Sequence, residues 1–202
     1  MSKELSVPLN PSADHAVSPA TRGSVWLRSG GIVLGGSALV ALCAHVALPL
    51  YFTPVPLSMA PFAVLLLGLL LSPRLAAATL AAYLAEGAMG LPVFGPSRAV
   101  SGLAHLLGPT GGYLLSYPLA AGLIAFLVRR TGRGYFPAFL SAAAGSLVIL
   151  FCGALWLAVL AHASTESVVT MAILPFLPGD ALKVAAAAGL AAAWVRWRRR
   201  AE

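Results

Sequence analysis

The sequence PFLPGDALK, residues 175–183, leads directly into an apolar run that extends to about residue 197. It places two opposite charges, Asp180 and Lys183, one helical turn apart at the start of a segment apolar enough to cross a membrane. An ionised side chain at the centre of a bilayer costs about 2.5–3.5 kcal/mol, so this pair is the first candidate for a solute site. The alternative is an ion pair that only holds one helix end in register. Under both interpretations the two side chains face protein or water rather than lipid.

The composition around this stretch is that of an integral membrane protein. Of the 202 residues, 59% are hydrophobic and only 9% are charged, against about a quarter charged in soluble domains. The 20 glycines and 15 prolines are typical of spanning helices that pack closely and break near a cavity. We therefore expect one compact helical domain in a membrane.

Six apolar runs are long enough to cross about 30 Å of hydrocarbon as helices. They lie near residues 31–50, 56–72, 75–91, 111–128, 136–160 and 181–197. The sequence thus predicts an all-α integral membrane protein with six transmembrane helices in one bundle. Residues 1–29 are predicted to be a disordered cytoplasmic tail, residues 30–198 the six-helix domain, and residues 199–202 a basic cytoplasmic end.

The basic residues indicate the orientation of these six runs, because cytoplasmic loops carry the excess of Lys and Arg. Of the 13 basic residues, 11 fall on one side of the predicted bundle, namely Lys3, Arg22, Arg28, Arg74, Arg129, Arg130, Arg133, Arg196, Arg198, Arg199 and Arg200. Both termini are therefore predicted to be cytoplasmic. The outer connections 92–110 and 161–180 are longer and richer in Gly, Pro and aromatic residues than the inner ones, so function is expected on the outer side.

The sequence argues against catalysis and against a metal centre. It contains no Gly-x-Ser-x-Gly elbow, no His-Glu-x-x-His and no Gly-x-x-x-x-Gly-Lys phosphate loop, and its only lysines are Lys3 and Lys183, so the chain cannot hydrolyse ATP alone. The four histidines lie in different segments, and no resident cofactor or metal is expected. Two alternatives stay open: an intramembrane enzyme that uses Glu86, Asp180 or Ser97, and a passive channel.

A recognition site at the outer rim fits the pattern better. Pro-broken and Gly-rich backbone ends the third run and opens the fourth, and such backbone is tolerated at membrane depth only where protein or a wet cavity satisfies its amides. Thr110 is a candidate N-cap, which would leave the N–H groups of Gly111, Gly112 and Tyr113 facing the cavity at the positive end of the helix dipole. The alternative is a tight turn with close helix packing, which accounts for the glycines equally well.

Glu86 is the third ionisable residue inside an apolar run. Three roles are open for it: a protonated carboxyl, a partner of Lys183, or an exposed group at the rim of the cavity.

Five short stretches follow one another in a fixed order along the chain. They are Thr-Pro-Val-Pro at 53–56, Tyr-Leu-x-Glu-Gly at 83–87, Gly-Leu-Pro-Val-Phe at 90–94, Gly-Pro-Thr-Gly-Gly-Tyr at 108–113 and Pro-Phe-x-Pro-Gly-Asp-x-x-Lys at 175–183. With these stretches the chain resembles the BioY family, which comprises the biotin-binding S components of energy-coupling factor (ECF) transporters. The resemblance implies a six-helix bundle in a bacterial inner membrane that binds biotin from outside. It also implies docking onto a transmembrane coupling protein and two ATPases, which use the ATP.

The resemblance also implies roles for individual residues. Asp180 and Lys183 match the substrate-binding acid and base, and residues 108–113 match a stretch near the pocket. The family has a polar pocket residue in the connection after Gly95, and this position is hard to align here. Ser97 or Arg98 would take its place. The small residues that dock on the coupling protein are best matched in the first run by Ser37 and Ala41. An S component for another vitamin is the nearest alternative.

Biotin suits these residues chemically. Its ureido group carries two N–H donors beside one carbonyl acceptor, so Asp180 can accept from N–H while Lys183 donates to the carbonyl. Contact of Lys183 with the biotin carboxylate instead is an open alternative. Four aromatic residues are candidates to pack against the ring and chain, although aromatics near helix ends are more often anchors or core: Phe94, Tyr113, Trp156 and Phe176.

Overall fold

The computed structural model describes residues 19–95, 102–162 and 164–201, with side chains described from Leu27 onward except that of Thr165. The predicted tail before Pro19 and the candidate site residues Ser97 and Arg98 lie outside the described residues.

The described chain is almost entirely helical, which confirms the predicted all-α class. Eight α-helices follow one another: α1 Pro19–His45, α2 Ala60–Leu70, α3 Pro73–Ala88, α4 Leu103–Leu106, α5 Gly111–Thr131, α6 Tyr135–Ala161, α7 Thr165–Val168 and α8 Leu177–Ala201. A π-helical segment, Val169–Ile173, lies between α7 and α8. Strands β1 (Ala47–Leu48) and β2 (Leu57–Ser58) form a small antiparallel hairpin in which Ala47 lies opposite Ser58.

Each of the six predicted runs coincides with a helix, but the number of membrane crossings stays a prediction. Within the described residues, three helices are long and apolar enough to cross a bilayer: α1, α5 and α6. A fourth crossing arises if α8 and the segment before it, which meet at a 42° bend, count as one. Helix α2 has 11 residues and is about 17 Å long, shorter than the hydrocarbon thickness of about 30 Å.

The ends of the first predicted run were wrong. Helix α1 begins at Pro19, so residues 19–29 are helical rather than part of a disordered tail. It ends at His45 rather than near residue 50, and the hairpin follows. Proline explains the early end, because Pro49, Pro54 and Pro56 supply no backbone N–H and cannot continue a helix at its interior.

The buried apolar side chains of the core form two clusters. Helix α5 packs against α2, α3 and α6, and α8 packs against α2 and α6. The smaller cluster joins α2, α5, α6 and α8 and includes the buried side chains of Leu65, Ile124, Val184 and Ala188. The larger cluster includes the buried aromatic side chains of Tyr83, Phe94, Tyr113, Tyr117 and Phe176. These aromatic side chains also line the cavity described below.

Candidate solute-binding site

A cavity of about 370 Å³ lies where the hairpin meets the described parts of the predicted outer connections 92–110 and 161–180. The hairpin and its tip, the connection that contains Phe94 and Thr110, and the start of α8 all line it. Helix α3 adds Tyr83, and helix α6 adds Ile149 and Leu150. The cavity thus draws on segments that are far apart in the sequence, which is how a bundle builds a specific small-molecule site.

Asp180 and Lys183 both line this cavity and form a salt bridge with each other. The Lys183 Nζ donates to Asp180 Oδ1 across 3.0 Å, and this is the one salt bridge within the described part of the chain. Asp180 is 9% exposed and Lys183 is 7% exposed. The carboxylate can accept further hydrogen bonds and the ammonium group carries three donors, so the pair can offer an acceptor and a donor side by side to a ligand.

The backbone before α8 departs from regular α-helix just ahead of these two charges. A π-type hydrogen bond from Leu174 N to Val169 O widens the chain, and the segment then bends by 42° into α8. The Asp180 N–H donates to Phe176 O at 2.8 Å, which starts the regular helix. Asp180 therefore lies in the first turn of α8, where the helix dipole stabilises a carboxylate.

A row of aromatic rings forms one wall of the cavity. The ring centroids of Tyr117 and Tyr83 are 6.4 Å apart, those of Tyr83 and Phe94 are 5.4 Å apart, and those of Phe94 and His105 are 5.2 Å apart. All four side chains line the cavity. We call Tyr117, Tyr83, Phe94 and His105 the aromatic row. It presents ring faces and edges against which an apolar ligand body can pack.

A second aromatic pair, Tyr113 and Phe176, lines the cavity close to the start of α8. The two ring centroids lie 6.1 Å apart, and the Tyr113 hydroxyl donates to Ala172 O at 2.9 Å. The candidates Phe94, Tyr113 and Phe176 thus all reach the cavity, and their contact with a ligand stays a prediction.

Two glycines leave the space that these rings occupy. A Cβ at Gly87 in α3 would overlap the ring of Phe94, and a Cβ at Gly153 in α6 would overlap the ring of Tyr113. Any larger residue at these two positions would push an aromatic side chain into the cavity or away from it.

The start of α5 differs from the prediction. The side chain of Thr110 makes no capping hydrogen bond, and the Gly111 N–H donates to Gly108 O at 3.0 Å instead of facing the cavity. Gly111 packs against the Leu106 backbone, and Gly112 against Trp156. Thr110 and Tyr113 line the cavity, whereas neither glycine does. The alternative of a tight turn with close packing is therefore the correct interpretation of these glycines.

Trp156 was predicted to contact the ligand, but its side chain is not part of the cavity lining. Its indole Nε1 donates to Gly108 O at 2.9 Å, across 48 residues of sequence. This hydrogen bond ties α6 to the connection that precedes Thr110, so Trp156 supports the cavity wall from behind.

Glu86 is also placed differently from the prediction that counted it as a site residue. Its Oε2 accepts a hydrogen bond from Ser37 Oγ, while Lys183 pairs with Asp180. Helix geometry explains the difference: Tyr83 and Gly87, four residues apart, face the aromatic wall, whereas Glu86 projects from a different side of α3 toward α1.

The two predicted docking residues of α1 differ in exposure. Ser37 is fully buried and Ala41 is half-buried against the core. Exposed small residues do occur on α1, at Gly31 and Gly35, where nothing in the described chain comes close. A run of small residues on an apolar helix does not reveal which face turns outward, and the docking role of Ala41 stays a prediction.

Several residues that line the cavity were not predicted as site residues from the sequence. They are Tyr83, Tyr117, His105 and the hairpin tip between Pro49 and Pro56. The prolines of that tip were a signal, since a Pro-rich break between two apolar runs has to be covered by protein or water. Within the described residues, no three His, Cys, Asp or Glu side chains come together as metal ligands.

Comparison with known proteins shows relatives of this chain and a solved structure of the same fold. A probable biotin transporter BioY from Pyrococcus horikoshii is 37% identical over 134 residues, which cover 66% of this chain and 76% of that protein. A biotin transporter BioY from Thermotoga maritima is 31% identical over 156 residues, 77% of this chain and 88% of that protein. The crystal structure of the S-component for biotin from an ECF-type ABC transporter has the same fold, with a TM-score of 0.76 and 24% identity, covering 90% of this chain and 95% of that one. Residues 16–200 match the model of the BioY family, and the chain belongs to that family.

Proposed function

We propose that this chain is the biotin-binding S component of an ECF-type transporter. The observation that carries the proposal is the Asp180–Lys183 pair, buried from bulk solvent yet lining a cavity of about 370 Å³. The curated relatives are described as biotin transporters, and the structure of the same fold is described as an S-component for biotin. Both descriptions support a transporter rather than an enzyme.

The chemistry of the pair suits the ureido group of biotin. Asp180 accepts from a ureido N–H, and Lys183 donates to the ureido carbonyl while it keeps its bond to Asp180. Charge-assisted hydrogen bonds of this kind are about twice as strong as neutral ones, and burial away from water strengthens them further. The aromatic row then packs against the thioether ring and the alkyl chain.

The Asp180–Lys183 pair would also discriminate between ligands. A ligand that lacks either the donor or the acceptor would leave a buried charge without its hydrogen bond, which costs about 1–3 kcal/mol or more. Recognition that relies on such buried polar groups rejects mismatched ligands more strongly than an apolar pocket does.

Energy for uptake comes from partner subunits in this proposal. The sequence has no phosphate-binding loop, so the ATP would be hydrolysed by the ATPases of an ECF module. The exposed face of α1 around Gly31 and Gly35 is the surface that we assign to the coupling protein, because small residues let two membrane helices approach closely. With basic residues concentrated on the cytoplasmic side, the proposed location is a bacterial inner membrane with the cavity toward the outside.

A binding experiment tests the function. We expect the purified protein to bind biotin saturably in isothermal titration calorimetry, and an excess of thiamine or riboflavin to leave the biotin isotherm unchanged. Binding of thiamine or riboflavin without biotin would assign the chain to another vitamin. Absence of binding for all three would contradict the proposal.

A transport experiment tests the need for partners. Proteoliposomes that contain only this chain, without an ion gradient, should not accumulate biotin above its external concentration. Proteoliposomes that also contain a coupling protein and two ATPases should accumulate it when ATP is supplied inside. Concentrative uptake by the chain alone would refute the dependence on an ATP-driven module.

A further inference from the structure

We propose that the hydroxyl group of Tyr117 is a third polar contact of the site and accepts a hydrogen bond from the second ureido N–H of biotin. This inference rests on the proposed function, since it concerns the same cavity. Tyr117 lines the cavity and is 4% exposed. Its hydroxyl group forms no hydrogen bond within the described part of the chain, so a polar atom is free for a ligand.

The hydroxyl group of Tyr117 faces open space and not packed protein. In the described residues, every polar side-chain atom that is sealed from solvent has a hydrogen-bond partner. The Tyr117 hydroxyl group has none, so it is not sealed, and the open space that this side chain lines is the cavity. A ligand in the cavity can therefore reach it.

The other hydroxyl groups of the described lining already have partners in the protein. Those of Tyr83 and Tyr113 donate to backbone carbonyl oxygens, at 3.2 Å and 2.9 Å. The remaining three are paired as follows: Thr53 with the Val55 N–H, Ser58 with the Ala60 N–H and Thr110 with the His105 imidazole. Tyr117 is the exception, and phenylalanine would suit this wall at least as well unless the hydroxyl group has a partner in the bound state.

Tyr117 lies close to the Asp180–Lys183 pair. It follows Tyr113 by one turn on the same face of α5, and the ring centroids of Tyr113 and Phe176 are 6.1 Å apart. Phe176 O in turn accepts from the N–H of Asp180. The side chains of Tyr113 and Tyr117 both interact electrostatically with the Asp180 carboxylate. This neighbourhood makes the ureido head, and not the alkyl chain, the part of biotin that the Tyr117 hydroxyl group contacts.

The ureido head has one polar group more than the Asp180–Lys183 pair serves. It presents an N–H, a carbonyl oxygen and a second N–H in a row, and the two N–H groups point away from each other. Under the proposed function, Asp180 takes one N–H and Lys183 takes the carbonyl oxygen, which leaves the second N–H without an acceptor. A buried N–H group without an acceptor is costly, and a tyrosine oxygen can accept. The Tyr83 ring is stacked on that of Tyr117, with a centroid distance of 6.4 Å and an angle of 22°, and holds the hydroxyl group in position.

The first experiment separates binding from stability. Tyr117→Phe removes only the hydroxyl group, so biotin should bind about fivefold more weakly in isothermal titration calorimetry. Because this hydroxyl group bonds to nothing in the described protein, the thermal unfolding midpoint without biotin should not fall. Tyr113→Phe removes the bond to Ala172 O and should lower that midpoint. Tyr135→Phe, at an exposed position of α6, is the matched control and should change neither quantity.

The second experiment identifies the ligand atom. The probes are the two cyclic carbamate analogues of biotin, each of which has a ring oxygen in place of one ureido N–H. The carbamate that keeps the N–H for Asp180 should bind to the wild type about fivefold more weakly than biotin does, and its Kd should be the same for Tyr117→Phe. The other carbamate places a ring oxygen against the Asp180 carboxylate and should bind more weakly still.

Four results would overturn this contact. The first is a Tyr117→Phe variant that binds biotin as tightly as the wild type. The second is a variant that weakens biotin and both carbamates by one common factor, and the third is a lower unfolding midpoint without biotin, since each would make the hydroxyl group structural. The fourth is a wild type that binds biotin but neither carbamate, because the loss of one neutral hydrogen bond does not abolish binding. A wild type that binds no biotin would instead refute the proposed function itself.

Discussion

Two of the polar side-chain pairs in the described residues differ in what surrounds them. Asp180 and Lys183 are three residues apart on one helix, and both line the cavity. Ser37 and Glu86 are 49 residues apart, join α1 to α3, and are absent from the cavity lining. A pair within a single helix adds nothing to the association of helices, whereas a pair between two helices does. The first is therefore suited to bind a ligand, and the second to hold the bundle together.

This difference qualifies a common rule for membrane proteins. Ionisable residues in apolar spans are rare and mark function by default, because they are costly there. Glu86 satisfies that rule as well as Asp180 does. Its carboxylate, however, accepts from the buried hydroxyl group of Ser37 and does not line the cavity. Open space beside the charge, and not the charge alone, separates a site from a structural contact.

The largest effect is expected where the cavity pair is broken. Lys183→Ala leaves Asp180 buried without its partner, so we expect biotin affinity to fall by 2 kcal/mol or more, about 30-fold in Kd. Isothermal titration calorimetry measures this, and Glu86→Gln is the matched control that should bind as the wild type does. A Lys183→Ala variant with unchanged affinity would make the pair structural and erase the contrast.

Breaking the other pair should affect stability instead of binding. Glu86→Leu leaves the fully buried Ser37 hydroxyl without its acceptor, which should lower the free energy of unfolding by about 1.5 kcal/mol and leave the Kd for biotin within about twofold. Thermal unfolding in detergent reports the loss. The double variant Ser37→Ala with Glu86→Leu removes both partners and should recover much of it. A large loss of biotin affinity in Glu86→Leu would return Glu86 to the site.

Gly87 follows Glu86 in α3 and lies on the side of that helix that faces Phe94. The variant Gly87→Ala tests this side. The added methyl group would overlap the ring of Phe94, so the ring has to move and biotin affinity should fall about tenfold. Titration of Gly87→Ala beside Glu86→Leu compares the two sides of α3 directly. Unchanged affinity in Gly87→Ala would show that the Phe94 ring is not part of the binding surface.

The smallest effect on biotin affinity is expected at Trp156, which supports the cavity wall without lining the cavity. Trp156→Phe keeps the aromatic volume and removes the N–H that holds Gly108 O, a loss of about 1 kcal/mol that should appear as a threefold to fivefold weaker Kd for biotin. Trp194→Phe, an exposed residue of α8 outside the cavity, serves as the control for a tryptophan change. Equal affinities for both variants would show that the wall does not depend on the bond from Trp156.

The sequence was informative where a residue type has few structural roles within a membrane, as charged residues, glycine and proline do. The charges of Asp180 and Lys183 in an apolar run and the Gly- and Pro-rich outer connections led to the end of the bundle where the cavity lies. Apolar runs also located the helices, apart from the end of α1, where the prolines of the hairpin tip override the apolar pattern.

The remainder of the site depends on which face a helix turns inward, and that is a property of packing. Tyr83, Glu86 and Gly87 are neighbours in sequence, but only the first lines the cavity and the second contacts α1. Gly112 could have opened an amide toward a ligand, and the position of Trp156 against it decides for close packing. Ser37 illustrates the same limit, because a small residue can face either a partner or the core.

The most direct test of the central claim is a crystal structure of this chain with biotin bound. The account predicts biotin in the cavity, with a ureido N–H within hydrogen-bonding distance of an Asp180 carboxylate oxygen and the ureido carbonyl within hydrogen-bonding distance of Lys183 Nζ. Biotin bound elsewhere, or bound in the cavity with the ureido group out of reach of both side chains, would contradict it.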